Sequence, residues 1–297
     1  FTARGGWEKL ENADLFVRYA EKVTKELGDY ADIICTINEA NLTSCFAHSF
    51  PNYPPEGIKT FLPFVDEAAK SCGSNLDNFG PFLFGHPYKI RDCMMEAHRK
   101  AFPVIKENLN NNQPVGITLS IMDYQCIEGG EEERDKAHAE SVDICLDQVK
   151  DDDFLGVQMY TRHTFGPDGI IMPDINTADM LVMGYEYYPE SVENVLRYVG
   201  PKINCPMIVT ENGIGTDDDQ QRINYITTAL EGLQRCLDDG LDIRGYYYWS
   251  FLDNFEWLFG YKPRFGLVDV DRNTLERKGK ESLKFYKSII ENSQINP

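Results

Sequence analysis

The chain has 297 residues, 42% of them hydrophobic and 12% aromatic, enough to bury a sizeable core. No apolar run approaches the roughly 20 residues that a membrane-spanning helix needs. With 48 acidic against 29 basic residues, the formal charge of −19 repels phosphate backbones and anionic lipid headgroups, so neither a nucleic-acid nor a membrane partner is expected.

In chain order, Phe1 to Leu10 reads as a loop leading into an amphipathic helix over Asp14–Leu27. An apolar strand over Asp32–Asn38 follows and runs directly into Glu39. Pro51 to Pro87 reads as a long irregular insert, of the kind that selects ligands on the face carrying a site. Helical patterns at Ile90–Leu109, Glu132–Val149, Ser191–Tyr198 and Gln221–Leu237 then alternate with strands at Val115–Met122, Phe154–Tyr160, Met207–Thr210 and Gly245–Phe251. A last helix spans Lys280–Glu291.

Every strand is apolar enough to be buried on both faces, and strand, long helix, strand in repetition means parallel pairing through right-handed crossovers. The class is therefore α/β. An open doubly wound nucleotide binder would carry a Gly-rich turn after its first strand, and Gly213-Ile214-Gly215 lacks the third glycine. A (β/α)8 barrel instead places its ligand groups at the C-terminal ends of several strands. Polar residues recur at those ends: Asn38-Glu39, Asp123-Tyr124, Tyr160-Thr161-Arg162, Glu211-Asn212 and Asp253-Asn254. The expected fold is a TIM-type (β/α)8 barrel forming one catalytic domain over residues 1–297. It is incomplete at the N-terminus, with strands 4 to 8 present and two parallel edges exposed.

The eight cysteines are scattered singly without C-x-x-C spacing, which predicts free, mostly buried thiols in a reducing compartment. With no signal-type segment visible, a cytoplasmic location is the expectation. The five histidines have no paired ligand spacing, so no metal and no other cofactor is expected, and His98 reads as a packed or hydrogen-bonded side chain. Arg162 and His163 suit either the mouth of a site or a structural role. The acidic runs at 131–133, 151–153 and 217–219 read as solvated helix starts or loops.

Two carboxylates stand apart from that background. Glu39 and Glu211 each follow a buried apolar strand, which delivers the carboxyl group to the rim, where burial and neighbours can separate two pKa values. Cleaving an acetal needs one neutral carboxyl to protonate the leaving oxygen and one ionised carboxylate to answer the positive charge on the ring. "YYYWSFLDNFEW", Tyr246 to Trp257, adds aromatic platforms and polar groups suited to sugar faces and hydroxyls.

Three motifs in order, Thr36-Ile37-Asn38-Glu39, Val209-Thr210-Glu211-Asn212-Gly213 and Trp249 to Trp257, followed by Gly260-Tyr261 and Arg264 to Val268, resemble glycoside hydrolase family 1, the β-glucosidase family. The resemblance covers nearly the whole chain. It implies a retaining double-displacement β-glycosidase, with Glu39 as general acid/base and Glu211 as nucleophile. It further implies that Asn38 binds the sugar 2-hydroxyl, that Tyr160 hydrogen-bonds Glu211, and that Trp249 floors the −1 subsite. Glu256 and Trp257 would hold the hydroxyls at positions 3, 4 and 6. A cis peptide at Trp249-Ser250 is part of the same pattern.

An acidic Glu256 would repel a phosphate, so the expected substrates are unphosphorylated β-glucosides or related oligosaccharides, with oligomeric state left open. Ala40 stands where the family carries proline, which implies a modest shift in loop geometry. The family's first three strands, with a Gln, an Arg and a His of the sugar site, have no counterpart in the sequence. The alternatives are a catalytically silent or sugar-binding barrel fragment, and a non-hydrolytic barrel that depends on a metal or nucleotide.

Overall fold

The computed structural model describes residues 1–53, 62–176 and 179–292. Helix α1 (Ala13–Leu27) follows three short 3-10 turns and lies against the long helix over Pro87–Asn108, to which the Lys100–Asp14 ion pair (2.8 Å) ties it. Strand β1 (Ile34–Cys35) leads through Asn38-Glu39 into α2 (Leu42–Ser49), α3 (Pro63–Ser71) and the long α4 (Pro87–Asn108). Next come β2 (Val115–Ser120), β3 (Asp123–Cys126) and α5 (Glu131–His138), which continues through a π-helical turn over Ala139–Asp143 into α6 (Ile144–Val149). Strands β4 (Phe154–Gln158), β5 (Arg162–Gly166) and β6 (Gly169–Ile171) precede α7 (Ser191–Val199), β7 (Met207–Asn212), α8 (Asp219–Asp238) and β8 (Ile243–Tyr248). The chain ends with β9 (Val268–Val270), β10 (Arg277–Gly279) and α9 (Glu281–Asn292).

The main sheet has five strands in the order β1-β2-β4-β7-β8, all parallel, and it is open between β8 and β1. This is a half-barrel. Of its three inner strands, β2 and β4 are buried along their whole length, since helices cover one face and the concave core fills the other, and β7 is half-buried only at Thr210 and Glu211. The helices α4, α7 and α8 contribute Ile90, Met94, Met95, Val195, Leu196 and Tyr225 to the same continuous core.

Burial on both faces does not hold for the edge strands. Ile33 is 41% exposed, Cys35 is exposed, and β8 alternates buried ends with an exposed Arg244 and Tyr247. Each of these strands has a neighbour on one side only, so apolar composition alone could not enclose them. The regular ladder of β1 is also shorter than the predicted strand, although Thr36 N–H to Gly116 O (2.9 Å) and Thr118 N–H to Ile37 O (3.2 Å) carry the parallel pattern onward. Val115–Met122 ends at Ser120, and a separate small sheet, β3-β5-β6, grows beyond the ends of β2 and β4.

The Pro51–Pro87 insert is less irregular than its composition implies: it contains α3 and a 3-10 turn at Leu76–Asn78, with residues 54–61 outside the described residues. The acidic run at 151–153 is not simply solvated. Asp152 pairs with buried His98 (2.9 Å), whose other ring nitrogen meets Thr36 Oγ1 (2.8 Å), and Asp153 accepts from Lys106 Nζ (2.7 Å) and Val115 N–H (2.9 Å). The bland reading of His98 therefore stands. All eight cysteines are free, with Cys35 and Cys72 exposed and Cys45, Cys93, Cys145 and Cys236 buried. Among the described residues, no helix is long and apolar enough to cross a membrane.

Candidate functional site

A cavity of about 800 Å³ lies at the C-terminal ends of the strands. Asn38, Glu39, Tyr160, Glu211, Trp249, Glu256 and Trp257 all line it, so the structure brings every predicted site residue to one place. They come from four separate strand ends: Asn38-Glu39 after β1, Tyr160 after β4, Glu211 within β7, and the tryptophan loop after β8.

Glu39 adopts a left-handed backbone (φ 50°), and the turn after it is fixed from below by Asn41. The fully buried Asn41 amide donates to Ser120 O (2.7 Å) and Ser141 O (3.0 Å) and accepts from Ser120 N–H (2.9 Å). Ala40 packs at 1% exposure above this anchor. The side chain of Asn38 accepts from Thr118 Oγ1 (3.0 Å) and Gln158 Nε2 (2.8 Å). Both bonds use its oxygen, which fixes the amide and orients its NH2 as a donor.

Glu211 receives Tyr160 OH on Oε2 (2.6 Å) and Gln158 Nε2 on Oε1 (2.9 Å). Next to it, buried Asn212 donates to Met159 O (2.7 Å) and Tyr225 OH (2.9 Å) and accepts from Tyr246 OH (2.8 Å), locking the strand end. Trp249 N–H then bonds Asn212 O (2.9 Å), and a Cβ at Gly213 would stand 2.0 Å from Trp249 O, so only glycine lets β7 and the tryptophan loop approach this closely. The Trp249-Ser250 peptide is cis. The buried carboxylate of Glu256 accepts from Trp249 Nε1 (3.0 Å) and Asn254 Nδ2 (2.8 Å). Trp257 stands at the rim, 77% exposed with φ 46°.

The electrostatics separate the two strand-end glutamates. Burial, then the charge of Glu211, pushes Glu39 from 4.5 up to about 8, against a lowering hydrogen bond from Ser120. Burial also raises Glu211, but the Tyr160 hydroxyl opposes it by favouring the charged form. Burial thus raises both carboxyls, and only at Glu211 does a tyrosine hydroxyl favour the charged form, which makes Glu39 the proton holder of the pair. Proton donation and anionic attack can then occur in one cavity at one pH.

Gln158 was not singled out from sequence, although it joins Asn38 to Glu211 through a single Nε2. A signal was present: it precedes Tyr160 by two positions and so shares its side of the extended chain. Arg162 and Glu186 were also not paired by sequence, and they form a double ion pair across the cavity wall (2.7 and 2.8 Å) with the guanidinium 4.2 Å over Tyr188. His163 reaches Ser49 Oγ (3.0 Å), and burial holds its ring down to about 4. Among the described residues, no three His, Cys, Asp or Glu side chains converge as a metal site would require.

The sequence model of Glycosyl hydrolase family 1 matches residues 1–183 and 174–295. The chain belongs to this family. It is 29% identical to Beta-glucosidase A of Acetivibrio thermocellus, covering 98% of the chain and 70% of that relative. Against the Beta-galactosidase of Saccharolobus solfataricus it is 26% identical, covering 99% of the chain and 62% of the relative. Among solved structures, an apo beta-glucosidase 1317 superposes with TM-score 0.89 at 33% identity, covering all of this chain and 71% of that one. Beta-glycosidase BGL167 superposes equally well (TM-score 0.89) at 36% identity, with 100% and 70% covered. Membership in glycosyl hydrolase family 1 makes the half-barrel part of a TIM-barrel architecture and places the chain among glycoside hydrolases.

Proposed function

We propose that this family 1 member is a retaining β-glycosidase of the β-glucosidase type, acting on unphosphorylated β-glucosides within one barrel domain. The observation that carries this reading is the unlike setting of Glu39 and Glu211, one pushed towards its protonated form by burial, the other given a 2.6 Å bond from Tyr160 that favours its charged form. Glu39 protonates the glycosidic oxygen while Glu211 attacks the anomeric carbon and forms a glycosyl ester. Glu39, now a carboxylate, then takes a proton from a water whose oxygen attacks the anomeric carbon, which breaks the ester to Glu211 and releases the sugar with its original anomeric configuration.

The fixed amide of Asn38 donates to the 2-hydroxyl next to Glu211. Trp249 gives an apolar platform under the ring, while Glu256 and Trp257 contact the remaining hydroxyls. The acidic, buried Glu256 opposes a phosphate at the far end of the sugar.

The open gap between β8 and β1 supports a second reading, sugar binding without turnover. In the first reading, activity depends on further strands closing that gap. Release of nitrophenol from an aryl β-glucoside tests the choice, with Glu211→Ala as control. Turnover in the native chain that the variant lacks supports the hydrolase; equal rates refute it, and glucose binding without turnover establishes the second reading. Proton NMR of the first product distinguishes retention from inversion.

A further inference from the structure

The cavity has two chemically different walls. One carries Glu39, Glu211 and Glu256 on the ends of the main sheet; the other stands on the small β3-β5-β6 sheet, beyond the inner strands β2 and β4. That second wall presents Met122, Ile127, Ile170, Ile171 and Met172, with Phe46 from α2. Ile127, Ile171 and Met172 are 51%, 41% and 52% exposed, a grouping of large aliphatic side chains that a protein surface seldom shows without a ligand to cover it.

The grouping is continuous. Ile127 N–H bonds Phe165 O (2.9 Å), and Phe165 in turn pairs with Ile170 in the antiparallel β5-β6 register. A Cβ placed at Gly166 would find Ile171 Cδ1 at 3.0 Å and Ile127 Cδ1 at 3.7 Å, so both isoleucines lean over the same glycine and touch one patch of surface. The polar groups Arg162, Asp174 and His163 already have partners. Arg162 is paired twice with Glu186, Asp174 accepts from the backbone and side chain of Asn176 (2.9 Å each), and His163 is neutral and bonded to Ser49. This wall offers a leaving group little polar recognition and a broad apolar surface.

Resting on the glycosidase reading above, we infer that the subsite for the leaving group takes an apolar aglycone, alkyl or aryl, rather than a second sugar. The specificity-determining residues are Ile127, Ile171 and Met172. The wall is built on the separate β3-β5-β6 sheet, away from the open edges β8 and β1 of the main sheet. Each added CH2 of a bound tail strengthens binding roughly three- to fourfold where it is fully covered, so two of them give about tenfold.

The test is calorimetric binding of S-linked glucosides, which are not cleaved, below their micelle concentrations. Octyl β-thioglucoside is expected to bind the native chain about tenfold tighter than the hexyl compound, and both tighter than thiocellobiose. In the exposed-site variant Ile127→Asn/Ile171→Asn the octyl-to-hexyl ratio falls below threefold, while thiocellobiose binding and the melting curve stay unchanged. Equal affinity for the two tails in the native chain, tighter binding of thiocellobiose, or an undiminished ratio in the variant overturns the inference. A chain-length ratio without aryl-glucoside hydrolysis refutes turnover by this chain and leaves the apolar subsite standing; hydrolysis without the ratio does the reverse.

Discussion

Replacing Tyr160 with Phe removes one oxygen and, with it, the 2.6 Å bond to Glu211 Oε2. The ring remains packed edge-on to Phe265 at 6.3 Å, so the change is confined to the donor. A hydrogen bond to an ionised acceptor contributes about 1.5–3 kcal/mol, and 1.36 kcal/mol corresponds to one pKa unit. Burial already raises Glu211 and the Tyr160 hydroxyl opposes that rise, so losing it moves the carboxyl group further upward. The Gln158 bond at 2.9 Å survives on the other oxygen and limits the shift. In a pH profile of kcat/KM for an aryl β-glucoside, the proposed role of Glu211 as nucleophile predicts that the acidic limb moves to higher pH and that the plateau falls. Titration of Glu211 by carbon-13 NMR reads the same shift without turnover. An unmoved limb and titration, or a shift to lower pH, would refute the assignment of Tyr160 as the group that holds Glu211 ionised.

Glu39 carries a stability consequence whose sign follows from its raised pKa. Its contribution is fully present below about 4.5 and is lost as pH rises through about 8, so Glu39→Gln melts several degrees above the native chain at pH 9 and close to it at pH 4, by calorimetry. A constant difference across that range refutes the burial of its charge. Asn41→Ala strips three bonds from buried partners and costs about 3 kcal/mol in urea unfolding, with Glu39 losing its fixed approach; a loss under about 1 kcal/mol contradicts the anchor role. Arg222, 1% exposed, bonds Asp219 (2.7 Å) and Thr216 O (2.7 Å), and Arg222→Met strips both bonds, leaving Asp219 with Ser282, at a cost of about 1.5–3 kcal/mol in the same assay.

The site was legible where chain direction determined it. An apolar strand ending in Glu must hand that side chain to the rim, so Glu39 and Glu211 could be paired before any geometry was known. Contacts between distant residues were not legible, since no spacing links Arg162 to Glu186 or Gln158 to both Asn38 and Glu211. Helix α2 escaped notice because its buried face is polar: Thr43, Ser44 and Ser49 satisfy themselves on Pro87 O, Asn41 O and Cys45 O, and no hydrophobic period marks them. The exposure of β1 and β8 was hidden for another reason. Composition reports how apolar a strand is, whereas its burial depends on whether a neighbour stands beside it.

Asp253 sits just beyond the tryptophan at position 249, and its carboxylate gathers Gly266 N–H (2.7 Å), Lys280 Nζ (3.0 Å) and Arg264 Nε (3.3 Å), while its carbonyl takes Arg272 (2.6 Å). Lys280 immediately precedes α9, whose Ser282 bonds Asp219 at the head of α8. The tryptophan loop is thus moored to α9. Detachment of α9 on warming frees Lys280, loosens Asp253 and lets Glu256 and Trp249 drift together, so the cavity loses its shape at the free energy of that local opening and not at that of global unfolding. Heat inactivation then precedes the melting of the sheet, and amide exchange in α9 marks the temperature at which it begins.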